Sequence, residues 1–331
     1  MSLYRKERFV MNRKIYAVVS LLILLTFIGY IIYDSITGGK VNRPADETGK
    51  VPGPPEQWIT DQVLDITHGQ LISVAVSERG DIYLGGNSFL ARYDGSLKEK
   101  WKIKTDSKIN AVSVYGDTIY AASQDIIYLS GIDGRMITEW GPYEANSIIT
   151  SVSAGRTTIA FADAGVKRIF ILKKDGEVIS MLGQMKNDFI IPSPYFDVVL
   201  SDEGLVFAAN TGHRRIETWS VEGVKKAQFG EPGTAPGAFC GCCNPAHFAV
   251  IPQGFVTAEK GINRIKIIDI NGEFIEFVSS KNSFTPSVPL DVASGDGVTI
   301  YAANPADSKL YVFKRKNPRP SPAFQSDQSP I

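Results

Sequence analysis

Short runs of β-branched and aromatic residues, each broken by Gly, Asp or Asn, recur along the chain from about residue 58 to residue 316. Runs of this kind, alternating in polarity and separated by turn residues, predict antiparallel strands joined by tight turns. They fall into six similar units that begin at Ile72, Ile109, Ile149, Phe196, Ala246 and Leu290. A repeat of roughly 40 residues points to a propeller or a solenoid. In the units with a clear turn, an Asp or Asn is followed by Gly at one place, between the third and fourth strands: Asp94/Gly95, Asp133/Gly134, Asp175/Gly176 and Asn271/Gly272. Helical periodicity is absent from this region, which excludes helical repeats.

Units one to five each supply four strands, whereas unit six stops after three. The stretch QVLDIT at residues 62–67 precedes unit one and has no place in it. We therefore expect it to become the outer strand of the sixth sheet, because joining the two chain ends removes exposed sheet edges. The expected fold class is all-β, a six-bladed β-propeller over residues 58–316, preceded by one N-terminal transmembrane helix.

That helix is expected at residues 15–33 (IYAVVSLLILLTFIGYIIY), which carry no charge. At 1.5 Å per residue they extend about 28 Å, near the thickness of a bilayer core. Arg5, Lys6, Arg8, Arg13 and Lys14 precede the segment against Glu7 alone. The positive-inside rule then places residues 1–14 in the cytosol and the propeller outside, in a periplasmic or extracellular space if the source is bacterial. A cleaved signal peptide is the alternative, but Tyr30, Tyr33 and Asp34 stand where small residues are expected at a cleavage site, which favours an uncleaved anchor. Residues 34–57 are rich in Gly, Pro and charge and read as a flexible stalk, and residues 317–331 as a disordered tail.

Lys plus Arg and Asp plus Glu are equal at 35 each. There is no basic excess of the kind that nucleic-acid binding demands. The expected partners are the membrane, through the helix, and other membrane or periplasmic proteins. No G-x-S-x-G elbow, P-loop or H-E-x-x-H is present, so nucleophilic hydrolase, nucleotide-binding and zincin chemistries have no support.

Unit four contains VFAANTGHRRIETWS, unit three FADAGVKRIFIL and unit five TAEKGINRIKIID. Each has a strand, an acidic or amide residue, a short loop, and then Arg before a β-branched or aromatic residue, at Arg168, Arg215 and Arg264. Together with the inter-unit phrase FGEPGTAPGAFCGCCNPAHFAV, this pattern resembles the NHL-repeat family of six-bladed propellers over about 250 residues. Units one, two and six depart from it. Arginines recurring at one place in a repeat are expected to tie a loop to its own blade or to a paired acid.

All three cysteines lie in one loop, Cys240, Cys242 and Cys243, where the family pattern has fewer residues. By the repeat register this loop runs from the outer strand of blade four to the inner strand of blade five, beside the channel. In propellers, by resemblance to the class, that face usually carries the ligand. With His247 the cysteines supply enough soft donors for one tetrahedral or trigonal metal site, holding Cu, Zn or iron, including an iron–sulfur cluster. The spacing matches no known zinc-ribbon or ferredoxin signature. A disulfide is the alternative, with Cys240 to Cys243 easier to close than the vicinal pair Cys242 and Cys243. Unligated thiols are a third reading, unusual in an oxidising compartment.

Asp197, His213, Glu259 and Asp291 are further candidates for the channel face. An aspartate at the start of a strand also commonly caps a turn through its own backbone. Too few histidines are present to copy the several-histidine sites of lyases built on propellers. The residues therefore favour a binding or scaffold module, with a cysteine loop for a metal or redox group. A metal-dependent lyase or lactonase on the same fold is the alternative.

Overall fold

A computed structural model of the chain describes residues 13–36, 57–280 and 284–317. The chain separates into two compact units, which divide between Gly53 and Pro54. The N-terminal unit contains the helix Arg13–Ile36. Along it Val18, Leu21, Leu22, Ile23, Leu24, Leu25 and Phe27 are exposed. Among the described residues no helix is long and apolar enough to cross a membrane. Residues 1–12 of the expected basic segment 1–14, residues 37–56 of the expected stalk 34–57 and residues 318–331 of the expected tail 317–331 lie outside the described residues.

In the second unit the described strands form six four-stranded antiparallel sheets. Each of the first five uses four consecutive strands; blade one, for example, contains Leu71–Val76, Ile82–Gly86, Phe89–Tyr93 and Glu99–Lys104. The sixth takes Asp291–Ala293, Thr299–Asn304 and Lys309–Arg315 from the end of the chain and Trp58–Asp65 from its beginning. The N-terminal strand pairs antiparallel with Lys309–Arg315, from Trp58 opposite Arg315 to Asp65 opposite Lys309. The closing strand expected from the sequence thus occupies the outer edge of blade six, and it starts earlier than the QVLDIT motif that suggested it.

The third-to-fourth strand turns explain themselves locally. Asp94, Asp133, Asp175 and Asp269 each accept backbone N–H bonds from residues two positions on, at 2.8–3.0 Å. Gly134, Gly176 and Gly272 take φ of +84°, +92° and +91°, which a residue with a Cβ resists. An aromatic ring from the outer strand of the preceding blade lies on each of these glycines, namely Trp101, Trp140 and Phe229. Even an alanine methyl at Gly176 would stand 2.7 Å from the Trp140 indole.

The core is divided into six buried apolar clusters, one between each pair of neighbouring blades. Blades one and six, which join the ends of the ring, share Leu71, Val74, Leu84, Ala303, Leu310 and Val312. Sheet faces buried on both sides read as nearly continuous apolar runs, which is why the second strands, such as Thr158–Asp163, are almost wholly buried. Outer strands such as Met136–Trp140 are mostly exposed.

Candidate functional site at the channel mouth

The six inner strands surround a central channel of about 200 Å³, lined by residues from every blade. Polar side chains facing this channel stitch most inner strands to the next. Ser73 Oγ accepts the Val112 N–H at 3.0 Å, Ser113 Oγ the Ala154 N–H at 3.0 Å, and Ser153 Oγ the Leu200 N–H at 2.9 Å. Asp197 Oδ2 accepts from Phe248 N at 2.8 Å, and Asp291 Oδ2 from Val74 N at 2.9 Å. Five of the six junctions are thus bridged from a side chain to a backbone N–H that would otherwise lack a partner. The sequence reading did not single out the serines. Their signal is the short polar residue repeated within the inner strands, in ISVAVS, AVSVY and TSVSA.

At the end of the channel where the inner strands begin, Asp197 and Asp291 flank His247. His247 Nδ1 lies 3.8 Å from Asp197 Oδ2 and 3.7 Å from Asp291 Oδ1. Asp197 is the more buried acid, at 6% exposure. It also accepts from Ser151 Oγ at 2.5 Å and Val198 N at 2.9 Å. Burial nevertheless raises its pKa to about 6 against the lowering effects of His247 and these hydrogen bonds, and the charge of Asp291 adds to the rise. Both aspartates line the channel, and both accept from a backbone donor of a neighbouring blade, Asp197 from the adjacent Val198 N–H as well.

His247 leads outward from this group. Its ring meets Tyr195 edge-on at 6.2 Å between centroids. The Lys260 ammonium lies 4.6 Å above the Tyr195 ring. Burial raises the pKa of the Tyr195 hydroxyl, and the charge of Cys243 adds to that effect. The cysteine loop therefore adjoins the channel mouth through Tyr195 and Lys260. Asn244 fixes the loop from below: its side chain donates to the carbonyls of Cys240 and Lys260 and accepts the Lys260 N–H at 2.9 Å. Cys243 is buried, Cys242 exposed and Cys240 intermediate. The Sγ atoms of Cys242 and Cys243 are 3.1 Å apart. Burial raises the pKa of the Cys243 thiol despite the opposing effects of Ser193 and Lys260.

The four expected metal donors do not gather into one set. His247, as the first residue of its inner strand, turns to the acids of blades four and six, while the cysteines lie in the preceding loop. Among the described residues no group of three or more His, Cys, Asp or Glu side chains is placed to hold a metal ion. The residues present do not fit the tetrahedral or trigonal site that the composition of the loop suggested.

Glu259 is not a channel residue. It is fully buried and paired with Arg264 Nε at 2.6 Å and Lys266 Nζ at 3.1 Å. Its other oxygen accepts the Cys240 N–H at 3.1 Å. Arg264 also donates to the carbonyls of Thr234, Ala235 and Ala238, and Lys266 to that of Ala238. Burial pulls the Lys266 pKa down to about 8, although Glu259 opposes that shift. This cluster is a post that holds the segment entering the cysteine loop, and Arg264 has the loop-tying role expected of it. Arg215 likewise pairs with buried Glu217, Nη2 to Oε1 at 2.5 Å. His213 also departs from expectation. It is exposed in the loop before Arg215, and burial followed by the charge of Arg215 lowers its pKa. Its charged neighbours are Arg214, Arg215, Glu217 and Lys225 rather than the channel acids.

No family model matches the chain, and no curated protein matches it. Many solved structures resemble it. A chain in a crystal structure of the mitotic checkpoint complex is 12% identical with a TM-score of 0.55, covering 81% of this chain and 96% of its own. A streptogramin B lyase structure is 14% identical at 0.53, covering 77% and 97%. The Pan2 WD40 domain of Neurospora crassa is 11% identical at 0.53, covering 81% and 99%. Likeness at these identities shows the propeller fold and nothing finer.

Proposed function

We propose that this chain is a membrane-tethered, extracytoplasmic propeller of NHL-like type that recognises a protein partner at the mouth of its channel. The observation that carries this reading is the run of contacts at one end of the channel from the His247 ring to the Tyr195 ring and on to the Lys260 ammonium, all three partly exposed, with Cys242 exposed in the adjoining loop. Aromatic and cationic groups on loops held by a rigid scaffold suit recognition of another protein. The resemblance of units three to five to NHL repeats supports the same type of module. The uncharged run at residues 15–33 and the basic residues before it support the tether and its orientation. The cysteine loop belongs to this surface as a contact and redox element rather than as a metal centre.

Topology tests the tether. In spheroplasts, a membrane-impermeant maleimide applied after mild reduction should label Cys242, and the protein should remain with the membrane fraction through an alkaline carbonate wash. Labelling only after lysis, or release by the wash, would overturn the reading.

A lyase or lactonase is the second reading, and the position of His247 between Asp197 and Asp291 favours it. An imidazole beside two carboxylates can serve as a general acid or base. Solved structures with a similar fold include a streptogramin B lyase and a virginiamycin B lyase. Consumption of a macrocyclic lactone by the purified full chain, abolished in His247→Ala, would establish this reading. No turnover above the buffer rate would remove it.

A further inference from the structure

The geometry points to Cys242 and Cys243 as a redox site that closes reversibly to a vicinal disulfide at the channel mouth by exchange with a small disulfide or the oxidised dithiol of another protein. This deepens the reading above by naming the chemistry of the cysteine loop, and it rests on that reading only for the oxidising compartment.

The two sulfurs stand 3.1 Å apart. That is a thiol–thiol hydrogen-bond contact, about 1 Å longer than a covalent S–S bond. Their environments differ in the way exchange requires. Cys242 is exposed and can meet an incoming disulfide, whereas Cys243 is buried beside it. Asn244, the next residue, is held on both its amide oxygen and its amide nitrogen, so the backbone presenting Cys243 is anchored. Gly241, between Cys240 and the pair, takes φ +78°. The Cys240 N–H is committed to Glu259 on the other side of the loop. The sulfur contact thus falls on the pair that spacing alone disfavours. The vicinal ring contains a peptide bond and is strained, which makes such a disulfide readily reduced and suits it to reversible rather than structural use.

The chemistry balances as ordinary thiol–disulfide exchange. The Cys242 thiolate attacks one sulfur of the external disulfide, forming a mixed disulfide and releasing one thiolate that takes up a proton. Cys243 then loses its proton and attacks Cys242 Sγ, expelling the second thiolate. The pair is oxidised by two electrons and the external disulfide is reduced to two thiols. The reverse steps, driven by an external dithiol, restore the reduced pair. Closure removes the ionisable Cys243 thiol, whose charge acts on the Tyr195 hydroxyl, so the channel mouth differs between the two states.

The test is equilibration of the purified full chain in buffers of graded oxidised-to-reduced glutathione ratio. Samples are then blocked with iodoacetamide, digested, and examined by tandem mass spectrometry. We expect a species lighter by two hydrogens whose only alkylated cysteine is Cys240, appearing at a finite ratio and independent of protein concentration. Cys240→Ser should keep this transition, and Cys242→Ser and Cys243→Ser should each abolish it. A Cys240 to Cys243 bond, stable glutathione adducts at Cys242 without closure, or three alkylated cysteines at every ratio would each overturn the inference. The wild-type and Cys240→Ser maps decide the matter even if Cys243→Ser does not fold. Because the readout is chemical and in solution, failure here would leave partner binding and membrane topology standing, and their failure would leave this result standing.

Discussion

Replacing Asp197 by Asn is expected to change how stability depends on pH more than it changes stability at any one pH. Burial raises the Asp197 pKa from 3.8 to about 6. The folded protein therefore holds this proton more tightly than the unfolded chain does. Between about pH 4 and pH 6 the native state binds more protons than the unfolded state, so stability falls as pH rises through that window. A shift of about two units at 1.36 kcal/mol each corresponds to roughly 3 kcal/mol, present below pH 4 and lost above pH 6. The Asp197→Asn side chain cannot ionise and should not show this loss. Its amide can still accept the Phe248 N–H, but one of its two positions can no longer accept from Val198 N or Ser151 Oγ. That lost bond has a cost of about 1–3 kcal/mol that does not vary with pH. The informative quantity is thus a double difference: urea-unfolding free energy of Asp197→Asn minus wild type, measured at pH 4 and pH 7. We expect it to rise by about 3 kcal/mol between the two, groups that do not interact with Asp197 cancelling. Parallel pH profiles would refute the claim that the channel mouth holds a buried acid reluctant to ionise.

Two further substitutions probe the parts that position the site. Glu259→Ala leaves Arg264 and Lys266 buried without their acid and is expected to lower stability by about 3–5 kcal/mol in denaturant titration. Faster iodoacetamide labelling of Cys243 should accompany it, because the Cys240 N–H loses its acceptor; unchanged labelling would count against the post-like role given to Glu259. Ser153→Ala deprives the Leu200 N–H of its partner between blades three and four and should cost about 1–3 kcal/mol in the same titration. A neutral result would mean that the serine stitches do not hold the ring together.

The ring architecture was legible because it is written in local, repeated features. Asp94, Asp133 and Asp175 mark the same turn, and the three-strand count of unit six leaves a vacancy that an early strand fills. The site was legible only in part, since its geometry is made across blades. Asp197 and Asp291 were identifiable from their places at strand starts, but their junction with His247 joins positions far apart in the chain. Glu259 was misplaced because a carboxylate after a strand reads the same whether it faces a channel or a buried arginine. Cys243 and Cys242 show the opposite difficulty. Sequence spacing argued against the vicinal pair, whereas the folded loop holds those two sulfurs 3.1 Å apart.

Site-specific photocrosslinking in native membranes tests the central claim, that the channel mouth is the surface for recognition of a protein partner. A photoreactive residue would replace Lys260 at the mouth or, as a control, Glu203 in the turn between the first two strands of blade four, at the other end of the channel. We expect a discrete protein adduct from position 260 that is absent from position 203 and is lost when Tyr195→Ala is added. Equal adducts from both positions, or none from position 260, would contradict the account.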